Sequence, residues 1–416
     1  MTSRAGRLLS RADRAANGLA ADAVLYLLSA AFALITGLAS TLAPHRGWGL
    51  LAVWAYLGAF LFVGMQLAMR RPVGRLAWTW TVWAGCALLP LVIEAVQRAG
   101  GRTDRAQEEV LVVEQMGERL LHTGTPYLGA VGIAALPSEA RLLGYAPYQP
   151  GMAVFGLPRA FAGDIWWTDA RVWFAAVTAA ALLVAVRALR PGDAALIRAL
   201  QFATVFPICA LTLATGGDDL PVLALCLLAL AWCATDRYGA AGVAAGAAAA
   251  LKLFAFPVVA VLVVLAVATR RGRRFLPGAL GLPVAALIPS SLISGDAVME
   301  NVIRFPLGHG SARSPAQSPL PGYLISTSIP GGRYVAAALL LAAAGTIVAV
   351  LLRRPPRTAA TAALFCGYGL LAAILLMPTT RFGYLLYPVA FLAWSPALSG
   401  HTAEAASRGD PALYRV

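Results

Sequence analysis

Apolar residues fall into blocks long enough to cross a bilayer, and the polar residues are pushed into the gaps between them. A helix needs about 20 apolar residues to cross roughly 30 Å of hydrocarbon. On that rule the pattern predicts spans at 22–42, 48–69, 75–96, 170–189, 195–214, 219–234, 275–294, 333–352, 359–377 and 383–398. The run 239–269 is too long for one upright helix and short for two. It is read as a hairpin, 239–253 and 256–269, turning near Lys252–Pro257. The fold expected is all-α and integral to the membrane, a polytopic bundle of about twelve helices. It forms one domain over 1–416, with long loops at 97–169 and 295–332. The first run, 22–41, is longer than a signal-peptide core and reads as a retained span.

The first long gap has its own pattern. Val110, Val113, Gly117, Leu120 and Leu121 recur at helical spacing, with Glu109, Glu114, Glu118 and Arg119 between them. This predicts an amphipathic helix at the membrane surface, ended by Gly124 and followed by a Thr-Pro-Tyr turn. Pro147, Pro150 and the run Met152–Phe161 predict a second short interfacial helix. Trp166 and Trp167 mark headgroup level where the chain re-enters the bilayer.

Composition agrees. The chain is 59% hydrophobic and only 12% charged, against about one quarter charged in an ordinary soluble domain. The net charge of +14 raises nucleic acid as a partner. The arginines, however, sit in short loops and tails between apolar runs, where topology requires them, so no nucleic acid is expected. The five cysteines lie inside apolar runs and the four histidines are scattered, with no spacing for a zinc site or a disulfide framework.

Arginine placement sets the expected orientation. With the N-terminus in the cytoplasm, the cytoplasmic segments carry Arg4, Arg7, Arg11 and Arg14, then Arg70, Arg71 and Arg75, and later Arg270, Arg271, Arg273 and Arg274. The C-terminus is then cytoplasmic too, in a multi-pass protein of the cytoplasmic membrane. Reading 239–269 as two passes keeps the Arg270–Arg274 cluster inside. This topology gathers the loops 97–169 and 295–332, the turns 215–221 and 378–382, and the Lys252 turn on the extracytoplasmic side.

Several residues there are candidates for chemistry, each with a bland alternative. Glu108 and Glu109 open the interfacial helix: either is placed to act as a general base toward a sugar hydroxyl, or both simply complement the helix dipole. Asp218 and Asp219 follow a Gly-Gly turn, to bind hydroxyls or to cap the next helix. A metal there lacks a third clustered ligand. Lys252 is the lone lysine, inside an apolar run where a cation costs roughly 2.5–3.5 kcal/mol on insertion scales. Its expected partner is an anion such as a lipid phosphate, the alternative being snorkelling to the interface. Arg304, His309 and Arg313 lie in a Gly/Pro-rich loop suited to shaping a pocket, and Arg381 stands in a very short turn. Both Arg304 and Arg381 are candidates for clamping phosphate, or are solvated charges. Glu94 either lines the same cavity or pairs with an arginine.

At these residues the chain resembles the GT-C membrane glycosyltransferases, specifically the actinobacterial group forming glycosyltransferase family 87. The resemblance rests on E-V-L-V-V from Glu109, T-G-T-P-Y at 123–127, Y-A-P-Y-Q-P at 145–150, and A-L-K-L-F-A-F-P around Lys252. Glu109 stands where the family more often has Asp, Val113 where Tyr is common, and Arg381 where a histidine is expected. The resemblance implies inverting transfer of a sugar, commonly mannose, from a polyprenyl phosphate donor to a lipid-linked glycan or glycolipid acceptor. It implies Glu109, or Glu108 beside it, as base, and Lys252, Arg304 and Arg381 on the donor phosphate. Tyr127, Tyr148, Asp218, Asp219 and His309 would face substrate, and no metal or cofactor is called for. Two other functions fit a polytopic chain: a glycolipid or polyprenyl-lipid transporter or flippase, and an inactive cell-envelope scaffold. A transporter would show two related halves, and none is visible in the sequence.

Overall fold

The structure, a computed structural model, describes residues 15–70, 74–189, 194–312 and 314–407. Arg4, Arg7, Arg11, Arg14, Arg71 and Arg313 lie outside the described residues. Among the described residues the chain is helical, and the sole bridge outside helices joins Gln317 and Thr380.

The first three apolar runs form α1 (Leu19–Ala39), α2 (Ala43–Met69) and α3 (Arg75–Ala99). The long loop folds as expected into the amphipathic α4 (Glu108–Thr123) and a short α5 (Leu157–Ala162) after a 3-10 helix at Pro150–Gly156. Then follow α6 (Ala170–Ala188), the bent pair α7 (Ala194–Ala203) and α8 (Pro207–Thr215), and α9 (Asp219–Ala234). The hairpin is α10 (Tyr238–Leu251) and α11 (Ala255–Ala268). The chain closes with α12 (Gly272–Arg304), α13 (Gly332–Arg353), α14 (Ala359–Leu376) and α15 (Phe382–Ser399).

All twelve expected runs are helical, and they differ in length. Among the described residues, eight helices are long and apolar enough to cross a membrane, or nine if α7 and α8, bent by 42°, count as one. Pro207 explains the bend, since it removes a backbone donor and opens a new first turn. At 1.5 Å per residue the 14-residue α10 and α11 are each about 21 Å long, short of the roughly 30 Å hydrocarbon layer. They pack inside the bundle, between the Lys252 turn at one end and the Asp236–Arg271 pair at the other. Gly242 and Gly246 of α10 meet the backbone of Phe275 and Gly278 on α12 so closely that a Cβ would collide. Small residues are what permit such approach in lipid, where association depends on packing.

Polar side chains collect at two opposite ends. At one, Asp22 of α1 accepts from Arg75 at 2.7 Å and pairs with Arg198 at 2.9 Å, which joins the starts of α1, α3 and α7. At the other, the loops converge. The Gln107 amide donates to Thr215 O at 2.9 Å, Gln149 to Leu251 O at 3.1 Å, and Thr380 to Ala316 O at 3.0 Å. The long loop, the 215–221 turn, the Lys252 turn and the 378–382 turn therefore form one layer over the same end of the bundle.

Candidate active site

The helix that carries Glu108 and Glu109 is held first. Gln107 precedes α4 and is fixed from two sides, its Nε2 at 2.7 Å from His45 Nε2 and its Oε1 accepting from Thr215 Oγ1 at 3.2 Å. About two turns further in, buried Glu114 accepts from Arg98 at 2.7 and 2.5 Å and from the Ala170 amide at 3.2 Å, with Arg159 at 3.3 Å. Arg98 continues to Asp169, Asp169 to Arg171, and Arg171 to Glu94 at 3.2 Å. Glu94 thus takes the arginine-paired alternative. Buried charges must be paired, and this chain of pairs anchors α4 to the ends of α3 and α6.

So fixed, α4 separates its first two carboxylates. Glu108 is exposed, whereas Glu109, 100° around the helix, is part-buried and forms an ion pair with Arg381. Arg381 is held by the turn: Thr380 bridges to Gln317, and the Phe382 amide donates to Ser318 Oγ at 2.9 Å. The 305–320 loop therefore sets the cation that meets Glu109.

Lys252 departs from the expectation of a free cation awaiting a lipid phosphate. Its ammonium donates to Asp218 at 2.7 Å and Asp219 at 2.6 Å, between the rings of Tyr148 at 5.4 Å and Tyr384 at 5.5 Å. Tyr387 Oη donates to Asp219 Oδ1 at 2.7 Å. The physical reason is the break between α10 and α11, which delivers Lys252 into the bundle against the Gly-Gly turn rather than toward lipid. Burial alone would lower the Lys252 pKa, but the two carboxylates outweigh it and hold the ammonium above its ordinary value. Burial, with Asp219 adjacent, pushes the Asp218 carboxyl up against the pull of Lys252. The triad carries a formal charge of −1, and neither aspartate is left as a simple helix cap.

Other expected residues fall into supporting places. Tyr127 is buried and its hydroxyl donates to Tyr148 O at 2.7 Å, tying the T-P-Y turn to the Y-A-P-Y stretch. Arg304 is 63% exposed, 3.6 Å from Glu300. His309 is exposed in the same loop. Neither has a recorded contact with Glu109 or Lys252 among the described residues. Sequence reasoning passed over Asn301, which is fully buried. Its Oδ1 accepts from the Ala146 amide at 2.8 Å, and its Nδ2 donates to Leu128 O and Ala297 O, both at 2.8 Å. Beside it Tyr145 donates to Glu300 at 3.1 Å, accepts from the Ser311 amide at 2.7 Å and stacks on Phe305. Both Glu300 and Asn301 sit in a wide π turn (Met299–Arg304), a local widening often found at functional sites. The signal available was Glu-Asn at the end of an apolar run.

The model of glycosyltransferase family 87 matches residues 145–378, more than half of the chain. The chain belongs to glycosyltransferase family 87. The resemblance read from the motifs is borne out at the level of the family. No curated protein matches the chain. Among solved structures, it is similar to the one titled "Crystal Structure of ArnT from Cupriavidus metallidurans bound to Undecaprenyl phosphate" at 17% identity and a TM-score of 0.45. That match covers 79% of this chain and 64% of the other, so the chain spans under two thirds of that protein.

The family 87 region begins at Tyr145 and takes in Asp218, Asp219 and Lys252. Glu109 and Arg381 lie on either side of it. The Arg381 pairing and the Gln107–Thr215 contacts bring Glu109 to the layer that the family region builds.

Proposed function

We propose that this family 87 protein is an inverting glycosyltransferase that moves a hexose, mannose by the family resemblance, from a polyprenyl phosphate donor to a glycolipid or lipid-linked glycan at the extracytoplasmic face. The observation that carries the reading is the Glu109–Arg381 pair, with Arg381 three residues before Tyr384, whose ring lies over the Lys252 ammonium. It puts an acceptor for a proton beside a cation for a phosphate, the two groups this reaction needs.

In the step, the acceptor hydroxyl oxygen attacks the anomeric carbon opposite the phosphate. Glu109 takes the hydroxyl proton, a new glycosidic bond forms, and the bond from carbon to phosphate oxygen breaks. Its electron pair leaves on the phosphate. A phosphate leaving group needs positive charge more than a proton, and Arg381 is the part-exposed cation at the base. Its planar guanidinium can hold carboxylate and phosphate together. Lys252, neutralised by two aspartates, is assigned to position Tyr148 and Tyr384 rather than to bind phosphate directly. Asp219, with Tyr387, completes that wall. Exposed Arg304 is assigned to the lipid phosphate on entry, and His309 in the same loop to substrate.

The test is transfer by the purified protein in lipid vesicles supplied with polyprenyl phosphomannose and a mannosylated glycolipid. A product one hexose larger, formed with the anomeric configuration inverted, is expected. Movement of either lipid between leaflets with no product would overturn the enzyme reading in favour of a transporter. Binding of the donor with neither movement nor product would favour a scaffold.

A further inference from the structure

The far side of α4 carries a cleft that the transfer step does not use. Its volume is about 280 Å³, and Glu114, Gln115, Glu118 and His122 of α4 face Arg159 and Asp164 across it. Glu118 is nine residues beyond Glu109, on the order of 14 Å along the axis and about 180° around it. The cleft is therefore separate from the Glu109–Arg381 pair.

Its floor is already paired. Arg159 contacts Glu114 at 3.3 Å and Asp164 at 2.5 Å. Glu118 and His122 are exposed at the mouth and have no hydrogen bond or ion pair recorded among the described residues. The lining thus offers both donors and acceptors, the combination that suits hydroxyl groups. Three carboxylates against one guanidinium disfavour a phosphate or other anion.

A second observation concerns what lies beside the cleft. Phe161, Ile165 and Trp166, next in sequence to Ala160 and Asp164 of the lining, are 69%, 41% and 42% exposed. Exposed aromatic and aliphatic side chains just before a membrane helix sit at headgroup level. Polar cleft and apolar rim together match an amphiphile whose head is rich in hydroxyls.

We propose that this cleft binds the uncharged sugar headgroup of a glycolipid, with its acyl chains against Phe161, Ile165 and Trp166. The inference rests on the transferase reading only for its purpose: here the enzyme would hold sugars of a glycolipid acceptor remote from the reacting hydroxyl. Substrate contacts away from the chemistry are a recognised way to position it.

The test uses the full-length protein in phosphatidylcholine nanodiscs, with a photoactivatable neutral dihexosyl diacylglycerol as probe. Crosslinks mapped by mass spectrometry are expected in 115–122 and 159–167. The Glu118→Ala and His122→Ala variants should each weaken binding roughly tenfold, the effect of losing one hydrogen bond. Both side chains are exposed and outside the packed core, so folding should persist. Soluble dihexose at equal concentration should fail to displace the lipid. Crosslinks elsewhere, or variants binding like the parent, would overturn the site. Displacement by dihexose alone would overturn the lipid half of the claim. The same binding in a Glu109→Gln background, where no turnover is expected, keeps the outcome separate from that of the transfer assay.

Discussion

Glu108 and Glu109 differ by one position and by one contact. The sequence left them equivalent, because both fall in the first turn of an amphipathic helix and either complements its dipole. The contact with Arg381 separates them, and it arises from a turn more than 270 residues further on, beyond the reach of any local pattern. Lys252 shows the same limit. As the lone lysine in an apolar run it was legible as special, but its partners at 218 and 219 come from another helix pair. Replacing Lys252 by Met would leave two buried carboxylates facing each other. The expected cost is about 3–5 kcal/mol, as for one partner removed from a buried pair, read as a lowered unfolding temperature in detergent. An unchanged midpoint would contradict the pairing. The native protein should also weaken in alkali. The Lys252 pKa is raised on folding, so its contribution is full below the ordinary lysine value near 10.4 and is lost as pH rises through the folded value.

At the scale of elements, α4 was readable because its apolar residues repeat at helical spacing and Gly124 ends it. What holds α4 in place was not readable, since an amphipathic pattern says which face is buried and not against what. Two features hold it. Gly117 lies against the backbone of Gly156, where a Cβ would collide. Gly117→Ala should therefore destabilise by about 1–3 kcal/mol through overpacking, measured by thermal unfolding. Native-like stability would show that the two segments do not touch. The other feature is the Arg98–Glu114–Asp169–Arg171 chain. Burial alone would raise the Asp169 pKa, but Arg171 and Arg98 outweigh it and hold the carboxyl below the usual range. Its stabilisation is full above the ordinary aspartate value near 3.9 and is lost as pH falls toward the folded one. Asp169→Asn should accordingly flatten the acid side of the stability profile. A profile as steep as the parent's would remove Asp169 from that role.

For the whole molecule, hydropathy located all twelve expected helical runs, and among the described residues eight or nine of them have the length and composition of a full span. Helices α9, α10 and α11 are apolar yet short, because their ends are occupied by the Asp218–Asp219 and Lys252 turns that build the site. A window of apolar residues locates such a helix and says little of where it stops, which here is set by the polar turns. The convergence of distant loops at one end was legible from arginine placement, and the proposed function puts that end on the extracytoplasmic side. Single cysteines introduced at Asp164 and at Arg271 test that assignment. All five native cysteines are buried, so an impermeant thiol reagent applied to intact cells should label position 164 and leave 271 unlabelled. The reverse pattern would put the site in the cytoplasm and rule out the proposed face.

The most direct test of the account is turnover of Glu109→Gln beside Glu108→Gln, with donor and acceptor both saturating. Glutamine keeps the shape of Glu109 and cannot take the proton, so a fall of roughly 10²–10⁴-fold is expected, while Glu108→Gln stays near the parent rate. If Glu109→Gln turned over at the parent rate, the carboxylate paired with Arg381 would not be the base, and the account of this site would be wrong.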